Sequence, residues 1–272
     1  MYIYISLLNY SFPFYLSYIG QIALLKANDI SRVVTKNVIN TVRLFKVDRL
    51  DDDRELKRYP NSFQRTKLGE AQASHWSVIQ DDEVVLMDIV RKSKSGTVCD
   101  SFVRAGPRDY TVFAPNTVSA AIVTCGGLCP GLNDVIQNIF TTLYYNYGVD
   151  NIYGIKSGFR GFWQPEFQPW KRLTPKDIYR INQQGGTFLG SSRGGFDAKK
   201  IVDSLELYGV NQVYVIGGDG THRAANAMCQ EVKARKLQIV VAGIPKTIDN
   251  DISTIDRSFG FNTAVTLNIY RI

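Results

Sequence analysis

Val213-Tyr-Val-Ile-Gly-Gly-Asp-Gly-Thr221 is the stretch on which the reading of this chain turns. Its first half is a short apolar, β-branched run bounded by Asn211 and by glycines, the pattern of a buried strand in a parallel sheet. The run stops at Gly217-Gly218-Asp219-Gly220-Thr221 and resumes as Ala224-Ala225-Asn226-Ala227-Met228, which is helix-forming. Strand, glycine turn, helix is the geometry that aims backbone N–H groups and a helix N-terminus at an anion. Asp219 would repel a bare phosphate but suits one that carries Mg²⁺.

A second stretch, Pro245-Lys-Thr-Ile-Asp-Asn-Asp251, follows another apolar run, Val240-Val241-Ala242-Gly243-Ile244. Thr247, Asp249 and Asp251 alternate there with Ile248 and Asn250. Ligands of open α/β sheets bind beyond the carboxyl ends of strands. Two acidic clusters at two such ends therefore predict one shared site, with one carboxylate for metal and one to accept a proton from a hydroxyl. A loop whose Asp and Asn residues merely cap turns accounts for the composition. It does not account for two strand-end clusters of this kind.

The same alternation extends upstream. Ala120-Ala121-Ile122-Val123-Thr124 reads as a strand, and Cys125-Gly126-Gly127-Leu128-Cys129-Pro130-Gly131-Leu132-Asn133 as a second glycine-rich turn. Its spacing is neither that of a Walker A loop nor G-x-G-x-x-G. Val135, Ile136, Ile139, Phe140 and Leu143 give helical periodicity through Tyr147. Ile152 to Ile155 is a short strand leading to Gly158-Phe159-Arg160-Gly161-Phe162, an aromatic and cationic run fit either for a nucleotide pocket or for the core. Thr174-Pro175-Lys176-Asp177 predicts a helix start, with the helix ending at Gly185-Gly186. In Thr187-Phe-Leu-Gly-Ser-Ser-Arg-Gly-Gly195, Arg193 has the forked donor set that neutralises phosphate. Phe196 to Tyr208 predicts a helix with Ile201, Val202 and Leu205 on its apolar face. The fold class is α/β: a three-layer, doubly wound parallel sheet, Rossmann-like, behind an irregular N-terminal extension.

Composition narrows the function. With 44% hydrophobic and 21% charged residues the chain is that of a soluble globular protein, and its net charge of +7 is spread along the sequence. Dispersed charge favours small anionic substrates over nucleic acid, and no basic patch interleaved with aromatics argues for DNA or RNA. Four cysteines without C-x-x-C spacing indicate neither zinc nor a disulfide framework. His222 is read as a solvent-facing helix histidine, with a nucleotide contact as the alternative. Residues 1–25 carry no charge and are rich in Tyr, Phe, Leu and Ile. Asn9, Ser11, Pro13, Ser17 and Gly20 interrupt the run, and no basic segment precedes it, so neither a spanning helix nor a signal peptide is expected. The extension is drawn as residues 1–115, partly disordered. Glu83 to Asp88 and Tyr110 to Phe113 are its candidate strands, as an added edge of the sheet. The regular lobe is drawn as 116–272.

Four motifs in this order, Gly-Gly-Leu-Cys-Pro-Gly-Leu-Asn, Gly-Thr-Phe-Leu-Gly-Ser-Ser-Arg-Gly-Gly, Gly-Gly-Asp-Gly-Thr and Pro-Lys-Thr-Ile-Asp-Asn-Asp, resemble the 6-phosphofructokinases. Ala242-Gly243-Ile244 and Asp256-Arg-Ser-Phe-Gly-Phe261 are similar to the plant-type ATP-dependent branch. The resemblance, covering about residues 105–264, implies the N-terminal, ATP-binding lobe of that fold and transfer of the γ-phosphoryl group of ATP to the 1-hydroxyl of fructose 6-phosphate. It implies that Gly127, Arg193, Gly194, Gly218, Asp219, Gly220 and Thr221 bind ATP and that Asp219 serves Mg²⁺. It further implies that Thr247, Ile248 and Asp249 contact the sugar phosphate, with Asp249 as the proton acceptor. An aspartate within reach of the hydroxyl is a suitable general base for that proton.

Pyrophosphate-using relatives carry Asp where this chain has Gly220, so the resemblance favours ATP as donor; Lys246 is found in both groups. The resemblance also implies an allosteric homo-oligomer, a tetramer, for the full-length form, in the cytoplasm or alternatively the plastid. Family chains continue past the position of Ile272 into a half with a Met-Gly-Arg motif and further sugar-phosphate arginines. The isolated chain is accordingly expected to bind sugar phosphate poorly and turn over little. The alternatives are a pyrophosphate-dependent sugar-phosphate kinase, a kinase of the NAD or diacylglycerol type, and a non-catalytic subunit or interaction module.

Overall fold

The structure, a computed structural model, describes residues 30–33, 42–45, 57–61, 79, 83–86, 99–104, 106–252 and 257–269. The uncharged segment 1–25 and most of the extension expected to be partly disordered lie outside the described residues. The core is a five-stranded sheet: β1 (Ser119–Thr124), β2 (Asn151–Ile155), β3 (Lys171–Arg172), β4 (Gln212–Gly217) and β5 (Val240–Pro245), in the spatial order β5-β4-β1-β2-β3. The first four neighbours run parallel, and only the two-residue edge strand β3 is antiparallel. Lys171 and Arg172 are exposed, and a short charged edge resists pairing with another chain.

Strand periodicity sorts the side chains onto two faces. Ala120, Ile122, Tyr214, Ile216, Val240 and Ala242 pack with Ile136, Ile139 and Phe140 of α1 (Leu132–Thr141). Ala121, Val123, Val213, Val215 and Val241 pack instead with α3 (Ala198–Leu207) and α4 (Asp219–Ala234) through Ile201, Leu205, Ala225 and Met228. Helices cover both faces, which is the three-layer arrangement the sequence predicts. Each fully buried aliphatic chain of this kind contributes about 1.5–3 kcal/mol. Asn211 sets the register: its side chain accepts from Ser119 N at 3.0 Å and donates to Thr117 O at 2.8 Å. Its backbone pairs with Ser119 O and Val240 N.

Three expectations need correction. Thr174 caps α2 (Pro175–Ile178) with a capping box, but that helix lasts one turn and does not reach Gly185. Arg180 is left-handed at φ 58°, which breaks the helix, and Ile181–Gln183 continues as a 3₁₀ turn. The candidate strands of the extension do not extend the core sheet. Val84–Leu86 belongs to a separate four-stranded sheet with Cys99–Val103, Val42–Phe45 and Ile30–Val33, and Tyr110–Thr111 pairs only with Tyr59–Pro60. The edge position beside β2 is taken by β3. Finally, α4 begins at Asp219, so Asp219, Gly220 and Thr221 form its first turn and the connection from β4 is Gly218 alone.

Candidate functional site

The chain runs from β1 to β2 on one side and returns to place β4 on the other side of β1. The crevice between the carboxyl ends of β1 and β4 is the topological switch point, where α/β sheets bind ligands. Both glycine-rich turns border it. On the β1 side Gly126 is left-handed at φ 83°, Gly127 is exposed with open space around it, and Gly131 at φ 83° leads into α1 with no side-chain cap. On the β4 side Gly218 leads into α4, again with no side-chain cap. Gly217 is pressed against the helix: a Cβ there would lie 2.5 Å from Thr221 Oγ1. At Gly220 the equivalent space is open.

Asp219 is solvent-facing and pairs with Arg223 at 2.8 Å one helical turn on. An exposed pair of this kind contributes little and yields readily to a stronger ligand. His222 is buried, at 6% exposure, and so does not face solvent as expected. It lies on the side of α4 that meets the β4 and β5 ends. Burial lowers its pKa, opposed by backbone hydrogen bonds at Gly217 and Ile244 and by the Asp219 charge.

The second acidic cluster leaves β5, the neighbour of β4. Lys246 N donates to Gly217 O at 2.9 Å, and a Cβ at Gly218 would lie 3.5 Å from Lys246 O. The backbones bearing Asp219 and Asp249 thus touch at their roots. The Thr247–Asp251 loop is internally braced: Thr247 Oγ1 donates to Asp251 at 2.6 Å and accepts from Asp249 N at 3.1 Å. Ser258 N donates to Asn250 Oδ1 and Ser258 Oγ to Thr247 O. Asn250, left-handed at φ 54°, turns the chain. Ile248 and Asp249 are exposed at its tip.

Arg193 comes from a third segment, which is tied across the strand ends. Thr124 Oγ1 donates to Gly190 O at 2.6 Å, Ser191 Oγ donates to Gly126 O at 2.7 Å, and Gly126 N donates to Ser192 O at 3.1 Å. Ser157 N donates to Leu189 O at 3.0 Å. Buried Asn133 anchors the segment's start, donating to Gln184 O at 3.0 Å and accepting from Phe188 N at 2.7 Å. Arg193 and Gly194 are exposed at its far end, beside the β1 turn.

One residue outside the predicted set sits inside the crevice. Lys246 is 6% exposed, and a Cβ at Gly126 would lie 3.7 Å from its Nζ. Its side chain therefore reaches from β5 across the end of β4 to the β1 turn. Burial lowers its pKa, and the Cys129 and Cys125 thiols act the other way. A buried ammonium at a switch point is an anion receptor in physical terms. The sequence signal was its place directly after a strand, one residue before Thr247. Phe159 and Phe162, by contrast, are buried in the core. A small cleft of about 50 Å³ beside the start of α1, lined by Cys129 to Asp134, Asn182 and Gln184 to Gly186, contains none of the predicted residues. Cys125, Cys129 and Cys229 form no disulfide bond, and among the described residues no cluster of three or more His, Cys, Asp or Glu could hold a metal by itself.

The sequence profile of one family, Phosphofructokinase, matches residues 119–272. The chain is 48% identical over 211 residues to ATP-dependent 6-phosphofructokinase 7 of Arabidopsis thaliana, covering 78% of this chain and 42% of the relative. It is 49% identical over 216 residues to ATP-dependent 6-phosphofructokinase 4, chloroplastic, of the same plant, covering 78% and 39%. To the ATP-dependent 6-phosphofructokinase of Borreliella burgdorferi it is 51% identical over 162 residues, covering 60% and 36%. The chain thus spans about two fifths of the length of these relatives.

Proposed function

This chain belongs to the phosphofructokinase family, and on that premise we propose that it carries the ATP-binding and proton-accepting part of an ATP-dependent 6-phosphofructokinase. The observation that supports this most directly is the contact between the roots of two acidic loops, at Gly217–Gly218 and at Lys246, beside the switch-point crevice. In this reading Gly127, Arg193, Gly194, Gly218, Gly220 and Thr221 receive the ATP phosphates through backbone N–H groups and one guanidinium. Lys246 adds a fixed positive charge from below. Asp219 fits Mg²⁺ held chiefly by phosphate oxygens and water, since it offers one exposed carboxylate with an easily displaced partner. The ion, when bound, neutralises phosphate charge.

Thr247, Ile248 and Asp249 meet fructose 6-phosphate. The Asp249 carboxylate takes the proton of the 1-hydroxyl as that oxygen bonds to the γ-phosphorus and ADP leaves. Most of the rate then comes from positioning and charge neutralisation, as in phosphoryl transfer generally. Open space at Gly220 supports ATP over pyrophosphate. The expected setting is a homo-oligomer of the full-length form, a tetramer, in the cytoplasm or alternatively the plastid. Among the described residues no helix is long and apolar enough to cross a membrane.

The test is calorimetric titration of the purified chain with MgATP and with magnesium pyrophosphate, alongside an assay for ATP-dependent formation of fructose 1,6-bisphosphate. MgATP is expected to bind more tightly, Asp219→Asn to weaken it about tenfold or more, and turnover to be low. Tighter pyrophosphate binding would move the reading to a pyrophosphate-dependent kinase. Binding of neither would overturn it.

A further inference from the structure

The turn that presents Arg193 is conformationally demanding. Gly194 and Gly195 are both left-handed, at φ 76° and 71°. Two successive glycines in that region fold the chain back on itself, but a glycine pair is also the loosest backbone a chain can have. Asn133, Thr124 and Ser191 restrain the segment up to residue 192 and leave Gly194 and Gly195 untouched. Something else must fix the pair.

Trp163, half-buried at the end of the Gly158–Phe162 3₁₀ turn, does so. Its indole Nε1 donates to Gly195 O at 3.1 Å. The Lys200 ammonium lies over the ring face, 4.3 Å from its centroid. Beneath the turn runs the Arg160 side chain, so close that a Cβ at Gly195 would meet Arg160 Cγ at 2.2 Å. Phe196 closes the far end edge-on against Phe159, with centroids 5.2 Å apart. The Gly195 carbonyl is thus held in one orientation by a donor from a different strand connection. The bond tethers the C-terminal end of the turn that begins at Arg193 and so narrows the conformations open to the glycine pair.

We propose that Trp163 is a positioning residue for the phosphate-facing turn Arg193–Gly194–Gly195, acting through its indole hydrogen bond to Gly195. The inference rests on the assignment of Arg193 to the nucleotide phosphates. Trp163 itself touches no ligand in this scheme. It removes conformations of the glycine pair before an anion arrives, so that binding does not have to order them.

Trypsin cleaves after arginine, so nicking at Arg193 in the full chain reads the order of this turn directly and without ligand. Trp163→Phe keeps the ring and deletes the donor. It should speed the nick at residue 193 about three- to tenfold, the scale of one lost hydrogen bond, and raise the MgATP dissociation constant by a similar factor. Trp170→Phe is the control, because the ring of Trp170 packs against Tyr208, Tyr153 and Phe162, with the Tyr208 centroid 4.0 Å away. It should change neither. Lys200→Gln, a second variant at an exposed site, leaves the indole in place and should speed the nick to a smaller extent. An unchanged nick in Trp163→Phe, or an equal rise in Trp170→Phe, would overturn the proposal. If Trp163→Phe does not fold, an unchanged nick in Lys200→Gln would overturn it. Failure of the wild type to bind MgATP would sink the kinase reading, while the nicking comparison would still decide the order of the turn.

Discussion

The two glycine-rich turns look alike as sequence and differ as electrostatic devices. The β1 turn, Cys125–Gly131, is long, contains two left-handed glycines and has the buried Lys246 ammonium beneath it. The β4 turn is one residue long and puts a carboxylate, Asp219, on the first turn of α4 in open solvent. One half of the crevice offers a buried ammonium and the other an exposed carboxylate. The metal-bound polyphosphate proposed above would meet both, and neither turn alone would specify it. The lesson is that a glycine turn after a strand announces close backbone approach, while the charge that arrives from neighbouring elements says what approaches.

The sharpest way to break this contrast is on the β1 side. Asn133→Ala deletes both hydrogen bonds that anchor residues 184–188 to α1 and strands two backbone groups. It should cost about 2–4 kcal/mol, read by denaturant unfolding, and weaken MgATP binding as Arg193 loses its support. Lys246→Met tests the buried charge. MgATP affinity should fall about 10- to 100-fold, with thermal stability unchanged or higher, because an ammonium without an ion-pair partner among the described residues has been removed. Retained affinity would mean the β1 side is no anion cradle.

The β4 side is sharpened by two glycines three residues apart. Gly217→Ala forces a Cβ into Thr221 and should destabilise the fold by about 1–3 kcal/mol. Gly220→Ala meets open space in a helical first turn and should be neutral or stabilising by up to about 1 kcal/mol. Its effect should fall on nucleotide affinity. Comparable unfolding midpoints for the two variants would refute the packing described at α4.

The smallest expected effect is a pH dependence from His222. Its folded pKa lies below the ordinary value of about 6.5 because burial disfavours the charged form. Between that lowered value and about 6.5 the unfolded chain binds more protons, so stability is full above this window and falls as the pH drops through it. The slope is at most about 1.4 kcal/mol per pH unit. His222→Gln should flatten it in melts taken from pH 7 to pH 5. An undiminished slope would assign the effect to other groups.

Much of this was legible in the chain itself. Apolar runs at 120–124, 152–155, 213–217 and 240–244 fall within strands, since a parallel strand buried on both faces has no polar option. The helix of 198–207 and the capping box at Thr174 followed from periodicity and cap chemistry. The helix expected up to Gly185 failed because nothing local marks Arg180 as left-handed. His222 was misread because it falls one turn before Ala225, on the helix face that also carries Met228 and Val232, and that face is buried.

What the sequence determined alone was the set of buried strands, the two glycine turns and the acidic residues that come after them, because each depends on neighbours a few positions away. Only the tertiary structure decided that Lys246 lies under Gly126 and that Asn133, Thr124 and Trp163 hold the Arg193 segment. These are contacts between residues far apart in the chain, and spatial order β5-β4-β1-β2 brings them together. Hydrophobic pattern says which face of an element is buried, but not which neighbour covers it.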